Sequence, residues 1–280
     1  MSRLFVEQLT VIDCARLDAE RGLVGDSWIA DIELEGNLDG QSMVLDFGEV
    51  KKRLKRAIDG SVDHSLLVPR RAPQLKFDIA DETCELAFAA QTGTIEHRSP
   101  LCAISLLDAA VVDIDAVIAH LRPLLLAVLP ASVTQLQLHL RQERIDGAHY
   151  HYVHGLKKHA GLCQRIAHGH RSRIEIRVDG QRDETLEWQI ADGWRDIYLG
   201  TRDDVVARGD GRIRFAYHSA EGAYALALPE DRVDLLDTDS TVEQIAAHLA
   251  RRLAPMQAGR RVSVRAYEGV MKGAIATVER

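Results

Sequence analysis

Hydrophobic and polar positions alternate along much of this chain, and at a few places they recur at helical spacing instead. Residues 4–11, LFVEQLTV, predict a first strand. Residues 27–35, SWIADIELE, predict a second, with Trp28, Ala30, Ile32 and Leu34 on one face because side chains alternate across a strand. Gly36-Asn37 and Asp39-Gly40 predict a turn, and MVLDF (43–47) a short apolar strand. From Glu49 to Ile58 the spacing changes: Val50, Leu54 and Ile58 share one side and Lys/Arg the other, which predicts an amphipathic helix. SVDHSLLVP runs to Pro69, and Arg70-Arg71-Ala72-Pro73 reads as a loop. Residues 75–105 hold apolar stretches without clear periodicity. Asp113 to Leu129 predicts a longer helix with Ile114, Val117, Ile118 and Leu121 facing a core, and Val133 to Leu140 a strand.

The second half repeats this plan. RSRIEIRV (171–178) aligns with 27–34 without a gap. DIDAVIAHLRPLL (113–125) aligns with TVEQIAAHLARRL (241–253), which places His120 and His248 at equivalent positions, read as packing or surface residues. Ser240-x-x-Glu243 predicts a capping box at the start of the second copy. VSVRAY (262–267) aligns with 135–140, and WQIADGW (188–194) stands where MVLDFG stood. Two homologous domains are expected, about 1–146 and 147–280.

Composition narrows the class. The chain has 280 residues, 46% of them hydrophobic, enough to bury a sizeable core. A net charge of −7 gives no general attraction to nucleic acid or anionic lipid. MSRLFVEQL lacks the apolar run of a signal peptide, and Leu124 to Leu129 is too short to span a bilayer. Cysteines 14, 84, 102 and 163 are scattered without a CxxC, which suggests free thiols in a reducing, cytoplasmic setting.

The chemistry concentrates between His149 and His170, a stretch of 22 residues holding six of the twelve histidines. On a strand, His168 and His170 point the same way, with Gly169 between them adding no bulk. With His154 from a preceding strand end they make three nitrogen ligands and leave a fourth position open, the pattern of a catalytic zinc site. Cys163 puts a thiol nearby. H-x-H alone equally describes a wet, His-rich surface strand.

HGL (154–156), Cys163, HGH (168–170), MVLDFGEVKK (43–52), VDHSLLVP (62–69), DSTVEQIA (239–246) and VRAYEG (264–269) together resemble the 6-pyruvoyltetrahydropterin synthase / 6-carboxytetrahydropterin synthase family. The resemblance touches most of the chain. It implies an α+β tunnelling fold, here two tandem domains, each an antiparallel sheet with two helices on one face. It implies that His154, His168 and His170 hold Zn2+, that Cys163 is the proton acceptor, that Asp63 and His64 form a relay, and that Glu268 anchors the pterin ring. It implies action on dihydroneopterin triphosphate, a small-molecule substrate, in a homo-oligomer that closes a barrel. The product would be 6-carboxytetrahydropterin, on the route to queuosine and other deazapurines, or 6-pyruvoyltetrahydropterin. Cys163 argues against the branch in which Glu replaces the thiol. The alternative is a non-catalytic pterin- or purine-binding protein that retains zinc.

The departures from the family pattern divide the motifs. Val24-Gly25-Asp26 stands for HGH in the first domain, and the first histidine falls near Ala15. That domain keeps Asp63-His64, with Gln142 or Glu143 set against Glu268. The second keeps the ligands, the thiol and Glu268 but has no Asp-His. A composite site is therefore expected, with the relay from one domain and the metal set from the other. Lys51, Lys52, Arg53, Arg165 and Arg171 are read as solvated surface cations rather than triphosphate ligands.

Overall fold

A computed structural model describes residues 2–38 and 43–279. The turn expected at Asp39-Gly40 lies outside the described residues. The first half opens on a long hairpin, β1 (Ser2–Asp18) and β2 (Gly22–Gly36). Helix α1 (Phe47–Asp59) leads to β3 (Leu66–Pro69), then to a meander of β4 (Leu75–Ala80), β5 (Thr83–Ala90) and β6 (Gly93–Pro100). Strand β7 (Ile104–Leu107), α2 (Ile114–Val128) and β8 (Val133–Gln142) complete it. The second half runs β9 (His149–His154), β10 (His168–Val178), the two-residue β11 (Gln181–Arg182), α3 (Glu184–Gly193) and β12 (Ile197–Thr201). Its meander is β13 (Val205–Gly209), β14 (Arg212–Ser219) and β15 (Gly222–Pro229), followed by β16 (Val233–Leu236), α4 (Val242–Leu253), β17 (Val262–Tyr267) and β18 (Gly273–Val278). Apart from β11 and β18 the order is the same, so the chain is two tandem tunnelling-fold domains of the α+β class.

The first sheet is ordered β7-β3-β1-β2-β8 and the second β16-β12-β9-β10-β17-β18. Each is antiparallel at its centre and parallel at one end, where β3 and β7, or β12 and β16, lie beside the hairpin. Helices cover one face of each sheet. Leu54, Ile58, Val117 and Leu121 pack on Ile12, Trp28 and Ile32, and Ile190, Ile245 and Leu249 pack on Ile174, Ile176 and Val264. Each such side chain contributes about 1.5–3 kcal/mol when fully buried.

Several local expectations shift. MVLDF is not a strand: the Asp46 carboxylate accepts from the Gly48 and Glu49 amides, so Phe47 already begins α1. WQIADGW lies on α3 and its end, making it a counterpart of helix α1 rather than of MVLDFG. The cap of α4 is Thr241, whose hydroxyl accepts from the Gln244 amide, so the Ser240 capping box does not form. Ser240 is instead turned to the site, as described below. Thr241 and Asp113 are equivalent caps of α4 and α2.

The stretch 75–105, without clear periodicity in sequence, has the most distant partners. β6 pairs antiparallel with β15, joining the two meanders edge to edge in a six-stranded sheet, β13-β14-β15-β6-β5-β4, that spans both domains. His97 faces Leu226 across this seam, and each is the fifth residue of its strand. His97 is 4% exposed and neither ring nitrogen has a partner among the described residues. Burial pulls its pKa down to about 4. The unfolded chain therefore takes up a proton near pH 6.5 that the folded one refuses until about pH 4. Stability falls as pH drops through that window, at about 1.4 kcal/mol per pH unit. His97→Leu, which copies the symmetry mate, is expected to raise stability at pH 7 by about 1–3 kcal/mol and to abolish this acid slope. Urea midpoints at pH 7, 6 and 5 test it; an unchanged midpoint and slope contradict it.

Candidate active site

The antiparallel pairing of β9 and β10 sets His154 opposite His168, and His170 follows two residues on, on the same face. All three are at most 1% exposed. Each offers one ring nitrogen, and those atoms lie within 4.8 Å of one another. The far nitrogens are oriented by the protein. His154 Nδ1 donates to the Ser240 carbonyl oxygen at 2.9 Å, and His168 Nδ1 to the Arg165 carbonyl oxygen at 3.0 Å. His170 Nδ1 stands 3.1 Å from Asp13 Oδ1, at an angle short of a hydrogen bond. All three Nε2 atoms are buried without a partner among the described residues. Burial and the neighbouring imidazoles push His154 and His168 well below the usual histidine range, hence neutral. Neutral rings at His154 and His168, Nδ1 atoms directed to carbonyl or carboxylate, and Nε2 atoms without a partner among the described residues fit a divalent metal with an open fourth position.

The first domain reaches this trio through the loop between α1 and β3. His64 has a left-handed backbone (φ 51°), held by its amide donating to the Asp13 carbonyl oxygen at 2.7 Å. Asp63 Oδ1 accepts from the Asp13 amide at 2.9 Å, and Asp63 Oδ2 lies 2.8 Å from His64 Nδ1. The His64 ring is then 5.2 Å from the His168 ring and 6.5 Å from His170, between centroids. Cys163, on a short turn at Leu162–Gln164, has its sulfur within 4.8 Å of ring nitrogens of both His64 and His168. Burial lowers the His64 pKa, but Asp63 and Cys163 outweigh it and bring it to about 10.

Glu268 sits in the turn between β17 and β18, two residues past the pairing of Ile174 with Ala266, so it follows the row of His170 and Ser172. The next amide, Gly269, donates to Ser172 Oγ at 3.0 Å. All seven site residues expected from sequence thus gather at one region: Asp63 and His64 from the first domain, and His154, Cys163, His168, His170 and Glu268 from the second.

Four residues had no motif to reveal them. Asp13 touches His170, accepts from Ser27 Oγ at 2.5 Å and carries the His64 loop on its backbone. Burial alone would raise its carboxyl, yet His170, Lys272 and Ser27 hold it at about 2. Lys272 Nζ stands 3.7 Å from both Asp13 Oδ2 and Glu268 Oε2. Arg165, read from sequence as a solvated cation, is buried. It binds Glu221 through two nitrogens at 3.0 and 3.1 Å and donates to Ser65 Oγ at 3.0 Å, tying the His64 loop to the second domain. Arg171 is likewise buried, donating to the Glu143 carbonyl oxygen at 2.8 Å.

The repeat exposes a second, altered copy of this site. Strand register sets Val24 opposite Arg16 as His168 is opposite His154, so Arg16, not Ala15, stands for the first ligand. Arg16 Nε donates to Asp26 Oδ2 at 2.8 Å, an ion pair where the other copy has two ligands. Gln142, by register the counterpart of Glu268, donates to Asp26 Oδ1 at 3.0 Å. His151 stands for Asp13, with Nδ1 3.6 Å from Asp26: the same cross-domain contact with acid and base exchanged. Asp196 (φ 58°) stands for His64 and takes Arg21 at 2.9 and 2.5 Å. Internal ion pairing has replaced a ligand set here.

The fold and this site define a class: a tandem tunnelling-fold protein with one composite three-histidine, one-thiol centre. Residues 14–108 match the family model of 6-pyruvoyl tetrahydropterin synthase. The matched segment includes Asp63 and His64 and ends before the histidine trio. Among solved structures, 6-pyruvoyl tetrahydropterin synthase of Plasmodium falciparum is similar at 16% identity over 50% of this chain and 97% of that one, with a TM-score of 0.39. That of Plasmodium vivax is similar at 19% identity over the same shares, with a TM-score of 0.34. No curated protein matches the chain. Among the described residues no helix is long and apolar enough to cross a membrane.

Proposed function

We propose that this chain is a zinc-dependent lyase acting on dihydroneopterin triphosphate, with 6-carboxytetrahydropterin as product ahead of 6-pyruvoyltetrahydropterin. Its one working site is divided between domains bounded at about 1–146 and 147–280. The observation that carries this reading is the approach of His64, from the first domain, to Cys163 and His168 of the second. Zinc, held by His154, His168 and His170, would supply Lewis acidity to oxygens of the substrate side chain.

The chain's own groups do the rest. Glu268 accepts from the paired N–H groups of the aminopyrimidinone edge and fixes the ring. Cys163 takes and returns a proton on the side chain, and His64 exchanges that proton with the thiol while Asp63 fixes its ring. Asp13 is a positioning residue for His170 and for the His64 loop. The buried, dry setting of the trio strengthens each of these charge interactions. Strands β8 and β18 end their sheets and β1 extends past its short neighbour β3, so edge pairing between copies gives a homo-oligomer. The reading places the protein in the cytoplasm.

Zinc-loaded protein is expected to consume dihydroneopterin triphosphate and yield a carboxy- or pyruvoyl-pterin on chromatography. Zinc and pterin bound without turnover would overturn the lyase in favour of a pterin- or purine-binding protein.

A further inference from the structure

Tyr152 occupies the centre of the sheet face that carries the site. It lies directly opposite His170 on the paired strand and two residues before His154, so all three side chains project the same way. Its ring is 5.1 Å from the His154 ring and 5.2 Å from the His170 ring, between centroids. Ser172 and then Glu268 continue that face on the far side of His170. Tyr152 therefore lies against two of the three ligand rings, on the face that leads to the carboxylate assigned to the pterin ring.

The hydroxyl of Tyr152 is the unexplained group. The residue is fully buried, and its oxygen has no hydrogen-bond partner among the described residues. A buried hydroxyl left so is costly, and native structures usually satisfy it with something bound. Apart from burial, the charge acting most strongly on it is Glu268, with Tyr150, Asp13 and Cys163 behind. Of these, Glu268, Asp13 and Cys163 belong to the site. Tyr150 gives an internal contrast. Its hydroxyl is equally buried and without a partner among the described residues, but no charged group bears on it; the two rings lie 5.7 Å apart in the same helix-covered core, and that of Tyr150 packs edge-on against Trp194 at 5.3 Å.

We propose that Tyr152 is a substrate-binding residue of the composite site: its hydroxyl donates a hydrogen bond to the pterin substrate between the ring edge held at Glu268 and the side chain lying toward the histidines. The proposal rests on the pterin-lyase reading. It adds a neutral donor to a site whose other protein groups are imidazoles, a thiol, carboxylates and the Lys272 ammonium. A tyrosine hydroxyl hydrogen-bonds an oxygen or ring nitrogen without bringing a charge beside a cation.

The test compares Tyr152→Phe with Tyr150→Phe. Both keep the ring, and thermal melts check that both fold. Binding of dihydroneopterin triphosphate is titrated calorimetrically in the Cys163→Ala background, where turnover does not consume the titrant. Zinc content is read by atomic emission, and kcat and KM are measured with Cys163 intact. Tyr152→Phe is expected to weaken binding about tenfold, the effect of one lost hydrogen bond of about 1.4 kcal/mol, and to lower kcat/KM at least as much. Zinc content should stay unchanged, and Tyr150→Phe should match the parent in all three. Unaltered binding and kcat/KM in Tyr152→Phe would overturn the proposal, as would a loss that follows zinc content. If the parent binds the pterin but turns nothing over, the lyase reading fails, while the calorimetric comparison still decides the role of Tyr152.

Discussion

Alanine at His64, or at Cys163, is expected to lower turnover of dihydroneopterin triphosphate by roughly 10²–10⁴-fold, the range for a positioned proton-transfer group, with zinc content intact. The two residues are 99 positions apart in number and lie on different domains, yet thiol, imidazole and the His168 ring come within 4.8 Å. Neither belongs to the buried trio, whose rings are oriented by Ser240, by Arg165 and by Asp13. Removing either should therefore spare the metal. Acting on one proton, they should also be non-additive: the double variant should be about as slow as the slower single one. Steady-state rates beside metal analysis check this. A His64→Ala protein that keeps parental turnover would leave Asp63-His64 an ordinary loop pair.

Gly25→Ala is expected to undo the site without touching a reacting group. Gly25 and Gly169 are equivalent residues, each the middle of its copy of the ligand triplet, and they meet where β2 crosses β10. A Cβ on Gly25 would fall inside the Tyr152 carbonyl oxygen and 2.7 Å from the His170 amide nitrogen. A Cβ on Gly169 would come 2.6 Å from Gly25 Cα. These are backbone atoms of paired strands and cannot swing aside. The cost should exceed the roughly 1–3 kcal/mol of ordinary overpacking, and the separation of the sheets should carry Asp13 away from His170. Loss of cooperative melting, zinc and activity together is the expected result. Gly193→Ala, at a position where nothing lies within 4 Å of the new Cβ, is the control and should melt like the parent. A stable Gly25→Ala protein with full zinc would contradict the crossing.

The same crossing shows what the sequence could and could not disclose. The H-x-H pair and His154 were legible because strand alternation alone puts such residues on one face. The role of Gly169 was only half legible. It does keep bulk from the site, but its stronger reason is the backbone of the other domain. Asp13 lies on a strand with no motif around it, and the repeat marks it only by comparison with His151, where acid and base have changed places. Arg165 and Arg171 look like surface cations in sequence, since burial of a paired arginine depends on partners 56 and 28 residues away. The meander at 75–105 was opaque for a related reason. Cys84, Leu86 and Phe88 do alternate inward, but Ala87, Ala89 and Ala90 beside them give little contrast, and the segment's sheet is completed by β15 from the other domain. Ser240 and Thr241 are adjacent residues that can both cap a helix, so their types alone do not choose between them. The structure uses Thr241 for the helix, leaving the Ser240 carbonyl for His154.

The central claim is that one chain supplies both halves of its working site. Co-expression of differently tagged His64→Ala and Cys163→Ala chains, with the mixed oligomer purified through both tags, tests it most directly. If each site is built within a chain, every site in the mixture lacks one group, and the mixed oligomer stays as inactive as either variant alone. Turnover restored in the mixed oligomer would show that the halves meet between chains, and would contradict the account.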